Sequence, residues 1–289
     1  DLLKREMSYG RSGFSMQFML DTSVSDSDRY PLKLSDLMVM GLNPDMAPVS
    51  CVWGSGPDQT ISDLPNVGLQ GDRLYRPIFV SKEFAAYQGC VMAIDPSGRG
   101  GDEVGYAIIA MLNGILYLLA AGGLKGGYAD ENLQRLADLA KKYKVKEVRV
   151  ESNFGDGMFL KLLTPFLVRT YPVTTSEERS TGQKEARIID TLEPVLNQHR
   201  LVVDEGLLRY DYENYNEYAT EHAHKYQLFY QLTRITRERQ ALAKDDRLDA
   251  LAIAVAYWVE QMDKDVQKAL DEHKTHAIEA ELKKFMDQF

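Results

Sequence analysis

Four acids in this chain are placed where metal-assisted hydrolysis would use them. Asp95 closes the apolar run VMAID, Glu151 closes EVRVE, and Asp246 and Asp249 lie in KDDRLDALAIAVAYW. The first two end short runs that read as strands, and the pair opens a helix of small apolar residues. An acid at a strand end projects past the sheet toward the loops, and acids three apart share one helix face. Carboxylates gathered from distant segments hold hard divalent cations through oxygen, and four of them suit two Mg2+ or Mn2+ ions ~4 Å apart. One ion of such a pair activates a water, and the other stabilises the leaving 3′ oxygen of a phosphodiester. Oxygen-only ligation selects Mg2+ or Mn2+ over zinc.

Each acid also has an ordinary use. Asp95-Pro96 suits a turn, Glu151 suits a surface position, and Asp246 suits a helix cap. Asp249 is harder to place otherwise, because an unpaired charge one turn inside an apolar helix is costly. The set, more than any member, carries the metal reading. The turn DPSGRGGD after the first strand has the glycine content of a phosphate cradle, as in sugar-kinase and actin-like ATPases. No second copy follows it, however, and no GxxxxGK[ST] loop exists. Arg99 and Asp102 therefore shape the turn, and Arg99 is also a candidate DNA contact. The five histidines give no catalytic triad, and His222 and His224 stand two apart, off a shared helix face.

The net charge of -9 argues at first against a nucleic-acid partner. Basic residues nevertheless crowd between Arg179 and Lys244, and the local field matters more than the total. Arg179, Lys184, Arg187 and Lys244 join Arg99 as candidate DNA contacts. The segment 177–187 follows a strand and enters a helix whose start favours phosphate. Tyr210, Tyr212, Tyr215, Tyr218, Tyr226 and Tyr230 interleave with charge; they suit stacking on bases, or the packing of a peripheral helical layer.

The elements that must position these residues are legible from residue 88 onward. VMAID (91–95) reads as a buried strand. VGYAIIAML (104–112) and ILYLLAAGG (115–123) read as a hairpin around Asn113-Gly114. Asp130 is placed to cap a helix whose Leu133, Leu136, Ala140 and Tyr143 recur at helical spacing. Then come a strand at 147–152, a helix from Gly157, a strand in YPVTTS, a helix in GQKEARIIDTLEPVLNQ and a short extended piece LVVDE. Residues 206–262 read as mostly helical. The first three strands are expected antiparallel and the later ones parallel, joined by helical crossovers. That order is not the strict strand–helix alternation of a dinucleotide-binding fold.

A chain of 289 residues holds one large core with additions, or two small domains. Hydrophobic residues at 44% and charged residues at 27% are ordinary for a globular protein. No apolar run approaches the ~20 residues of a membrane span, and the start DLLKREMSYG is no signal peptide. The start at Asp1 reads as a fragment of a longer protein. Cys51 and Cys90 form neither zinc spacing nor a disulfide framework, which fits a reducing compartment. Residues 1–87, with loop signals around one short strand in KLSDLMVMGLNPD, read as a connecting region packed on a neighbour. Residues 88–262 read as the catalytic domain. In 263–289, Val266, Leu270, Ala277, Leu282, Phe285 and Phe289 recur as in an amphipathic helical tail.

VMAIDPSGRGGDEVGYAI, VRVESNFGDGMF, GQKEARIIDTLEPVLNQHRLVVD and KDDRLDALAIAVAYW together resemble the nuclease domain of the large terminase subunit of short-tailed bacteriophages. FSMQFMLDTSVSDSDRYPL resembles the link between that family's packaging ATPase and its nuclease. The resemblance implies an α/β, ribonuclease H-like fold of the resolvase and terminase type, a mixed sheet of about five or more strands flanked by helices. It also implies that the metal-binding acids are Asp95, Glu151 and the Asp246/Asp249 pair, holding two Mg2+ or Mn2+ ions. Many relatives carry His where this chain has Lys244, and which of Asp245, Asp246 and Asp249 touches metal is left open. The implied activity is endonucleolytic cutting of concatemeric double-stranded DNA during packaging, largely independent of sequence. The implied partners are DNA, the portal (connector), the small terminase subunit and other copies in the motor, with no membrane. The implied place is the cytoplasm of an infected bacterium, transiently on the procapsid. A structure-specific junction resolvase and a catalytically idle module bridging motor to portal are the alternatives.

Overall fold

The structure, a computed structural model, describes residues 29–96, 103–152, 157–213, 218 and 221–265. Arg99 and the rest of the Gly-rich turn after Pro96, Tyr215, and the tail from 266 onward lie outside the described residues. Seven short strands come first: β1 (Met38–Met40), β2 (Met46–Pro48), β3 (Cys51–Val52), β4 (Thr60–Ile61), β5 (Leu74–Tyr75), β6 (Phe79–Val80) and β7 (Phe84–Ala86). Three long ones follow, β8 (Gly89–Asp95), β9 (Val104–Leu112) and β10 (Ile115–Leu124). Beyond them run α1 (Asp130–Lys142), β11 (Glu147–Glu151), α2 (Met158–Thr170), β12 (Thr174–Glu178), α3 (Lys184–Asn197), β13 (Leu201–Asp204), α4 (Glu205–Glu213) and α5 (Leu228–Arg234). A last helix, α6, is described over 246–265. None of the helices is long and apolar enough to cross a membrane.

Nine strands form one mixed sheet in the order β12-β11-β8-β9-β10-β13-β1-β5-β4. As expected, β8, β9 and β10 are antiparallel, while β11 and β12 add in parallel on one side and β13 on the other. Every residue of β8 and β9 is buried, so these strands have helices over both faces. Asn113 and Gly114, both at positive φ, make the hairpin turn between β9 and β10. One face packs on α1 and α2 through Leu133, Leu136, Phe159 and Leu163. The other packs on α3 to α6 through Ile188, Leu192, Leu208, Leu232, Leu251 and Trp258.

The stretch read as a connection does more than connect. β1 lies between β13 and β5 in the main sheet, and Leu32, Leu34, Leu37, Val39, Ile61 and Leu74 enter the core on the α3–α6 face. Three further sequence expectations differ in detail. Asp130 is the first residue of α1, with Ala129 before it, and its side chain makes no capping bond; Asn132 instead binds the carbonyls of Lys125 and Gly127. The strand expected in YPVTTS begins only at Thr174. Residues 206–262 hold less helix than their composition suggests. Between α5 and α6 the chain is irregular, tied down by Gln183 Nε2 to the Arg237 carbonyl and by the Gln240 amide to Glu185.

Candidate functional site

Asp95 ends β8 and Glu151 ends β11, and the register Val150 to Ile94 sets the two acids side by side at one end of the sheet. Both alternate onto the face that α6 covers. Helix α6 approaches this edge so closely that a Cβ at Gly105, opposite Asp95 on β9, would collide with the backbone oxygen of Asp246. Gly123 lies opposite Gly105 on β10, and a Cβ there would occupy the space of the Glu103 carboxylate. A row of small residues thus lets the helix descend until Asp249, 0% exposed, meets the strand acids. Oxygens of Asp95, Glu151 and Asp249 lie within 4.8 Å of one another, the only metal-capable cluster among the described residues.

The other member of the helix pair is placed differently. Asp246 stands near enough to help raise the pKa of Asp95, but it is not one of the clustered three. Asp245 instead accepts from Lys184 at 3.0 Å, and its carbonyl takes the Asp249 amide.

Lys184 and Arg187, expected on an exposed helix start, reach into the acids. The Lys184 ammonium lies 3.3 Å from Asp95, 3.0 Å from Asp245 and 3.1 Å from Asp249. Arg187 stands 2.8 Å from Asp249 and 3.6 Å from Glu151. Burial disfavours the charged lysine, but the three acids outweigh it and hold its pKa above the usual range. Burial pushes the pKa of Asp95 well up; Lys184 opposes this, and Asp249, Glu151 and Asp246 add to it.

Four carboxylates therefore meet two cations, and a fifth, that of Asp246, stands near Asp95. One oxygen of the fully buried Asp249, Oδ1, accepts no hydrogen bond, although Arg187 lies close by. A surplus of buried negative charge and an unspent acceptor fit a divalent cation ligated by oxygen.

The remaining basic candidates are dispersed. Arg179 is exposed just beyond β12, and the Lys244 ammonium lies 5.6 Å from the Tyr226 ring centre. Tyr218 stacks on Tyr226 at 3.7 Å, with Lys125 over its other neighbourhood at 3.6 Å. Its hydroxyl bonds Glu103, so part of the tyrosine-rich stretch faces inward.

Sequence reading missed the network behind the site. Arg247, 1% exposed, binds Glu103 through Nε at 2.5 Å and Asp211 through Nη1 at 3.0 Å. Asp211 also accepts the amides of Leu228 and Phe229 at the start of α5. This ties the first turn of α6 to β9, α4 and α5. The one signal in the sequence is a charged residue wedged between Asp246 and Asp249 ahead of an apolar helix.

The fold and the acid cluster define a ribonuclease H-like α/β domain with a candidate cation site at the ends of the neighbouring parallel strands β8 and β11. Residues 94–201 match the family described as the terminase, bacteriophage T7, ribonuclease H-like domain. The chain is 44% identical over 286 residues to the large terminase subunit of Enterobacteria phage T3, covering 96% of this chain and 49% of that protein. Over nearly its whole length the chain is thus similar to a terminase large subunit. It spans about half the length of that relative. Similar solved structures include the human cytomegalovirus terminase nuclease domain, Mn-soaked and inhibitor-bound, at 12% identity and TM-score 0.43 over 59% of this chain and 82% of that one. Another is the large terminase nuclease of thermophilic phage G20c, at 11% identity and TM-score 0.42 over 77% and 95%.

Proposed function

We propose that this chain is the metal-dependent endonuclease part of a viral DNA-packaging terminase, cutting concatemeric double-stranded DNA. The observation that carries the proposal is the convergence of Asp95, Glu151 and Asp249 within 4.8 Å, with more acids than cations around them. Asp95, Glu151 and Asp249 would hold one Mg2+ or Mn2+ ion, and Asp246 is the candidate to help hold a second. Ions bound there supply an activated water and stabilise the leaving oxygen of a phosphodiester. The protein's own part is to gather the acids and keep them apart from bulk water. In the absence of a divalent cation, Lys184 and Arg187 keep the acids from repelling one another. Both then lie at hand to bind phosphate.

Residues 1–87, part of which completes the nuclease's own sheet and core, would lead from a packaging ATPase into 88–262, and 263–289 would dock on the portal or on a neighbouring copy. A small terminase subunit, in the cytoplasm of the infected cell and at the procapsid, completes the proposed setting. Plasmid nicking tests the reading. With Mn2+ the protein should convert supercoiled plasmid to nicked and linear forms, and a chelator or Asp249→Ala should stop it. Cutting that survives both would refute the site.

A further inference from the structure

Beside the acid cluster lies a cavity of about 350 Å³ that has no part in the reading so far. It is walled by the end of β12, by α3 and by α6. Arg187 stands in its lining and also touches Asp249 and Glu151, so one guanidinium serves both cavity and cluster. Arg149 and Arg179 bring the arginines to three, and Thr181 adds a hydroxyl. Arg149 is held by Glu147 and Glu178 through its terminal nitrogens, yet its buried Nε–H has no hydrogen-bond acceptor. A buried donor left unspent is costly unless something accepts from it. The opposite wall, on α6, is mostly apolar and ends in Glu260. Ile253, Ala256 and Tyr257 follow Asp249 along one face of α6, and the Arg149 guanidinium lies 5.2 Å from the Tyr257 ring centre.

Guanidinium forks and a hydroxyl suit phosphate oxygens, and an apolar and aromatic wall suits the sugar attached to them. We propose that this cavity takes one phosphate and sugar of a DNA strand, next to the phosphate addressed by the acid cluster. The proposal rests on the nuclease reading and extends its substrate contacts to a second unit of the backbone. Arg187 is the link. Its fork is engaged by Asp249 now, and a cation among the acids would compete for that carboxylate and turn the fork toward the strand.

Filling the cavity tests this without changing any charge. Ala256 is exposed on α6, so Ala256→Phe, or the smaller Ala256→Leu, projects into the space with little disturbance of the core. Binding of a fluorescein-labelled duplex is measured by anisotropy over a range of salt with Ca2+ present in place of Mn2+, on wild type and variants whose thermal midpoints agree. Affinity should fall roughly tenfold, the loss of one charge-assisted contact, and the slope of log affinity against log salt should shrink by about one. Arg179→Ala should do the same. Wild-type affinity and slope in both Ala256 variants would overturn the proposal, even if Arg179→Ala weakened binding through the general field. Plasmid nicking with Mn2+ on the same preparations separates the two readings. Unaffected duplex binding with normal wild-type nicking sinks the cavity alone, whereas wild-type protein that never nicks sinks the nuclease reading.

Discussion

Asp249 is fully buried between two cations, Lys184 and Arg187, whereas Asp95 shares only Lys184 and faces three further acids. Removing the carboxylate therefore has opposite consequences at the two positions when no divalent cation is bound. Asp95→Asn removes a carboxylate whose ionised form is disfavoured by burial, and the thermal midpoint in EDTA should rise. Asp249→Ala takes one partner from each of two cations and should cost about 1–3 kcal/mol, lowering the midpoint. Both should lose the midpoint increase that Mn2+ gives the wild type. Scanning fluorimetry with and without Mn2+ reads all four outcomes. A second prediction concerns Arg247. Arg247→Ala leaves Glu103 and Asp211 buried without their partner, which costs about 3–5 kcal/mol, measurable as a lower urea midpoint. The acids were legible in the sequence as a set, because their joint placement at two strand ends and one helix start outweighs the ordinary use each has alone. Arg247 was not, because its partners lie 144 and 36 residues away and nothing local names them. Lys184 and Arg187 read in the sequence as candidate DNA contacts, but not as partners of the acids, since their direction depends on where α3 docks.

At the scale of elements, the site depends on how near α6 can come to the sheet. Gly105→Ala would set a methyl against the Asp246 carbonyl, which belongs to the backbone and cannot rotate away. The expected cost is about 1–3 kcal/mol of stability, with a weaker Mn2+-induced midpoint shift because Asp249 is lifted from Asp95 and Glu151. A substitution that left both quantities at wild-type values would show that the helix has room to spare. The long central strands and α1, α2 and α3 were readable because their apolar periods are long and their turns carry strong signals, as at Asn113-Gly114. β2 to β7 are two or three residues long, too short for a period to register. The irregular segment before α6 is set by bonds to α3 and its approach, Gln240 to Glu185 and Gln183 to Arg237, and such tertiary ties leave no local pattern.

For the whole molecule, the two buried cysteines report on integrity. Burial raises both thiol pKa values, that of Cys90 to about 12 from an ordinary 9.0. The sign follows from the raised folded value: the protonated thiol's contribution to stability is intact below about pH 9 and lost as pH climbs from 9 toward 12. At pH 8 a disulfide reagent should therefore label Cys90 only as fast as the protein opens, and low urea should speed labelling and unfolding alike. Rapid labelling of native protein would contradict the packing described. The sheet order has one more consequence, in the time domain of synthesis. Met38 pairs with Val202, so over half the sequence separates two adjacent strands of one sheet. At ~5–20 residues per second, a ribosome leaves β1 without that neighbour for roughly ten seconds or more. Throughout that interval its edge is open to pairing with another nascent copy, and refolding from denaturant, where the whole chain is present at once, should suffer less from such exchange.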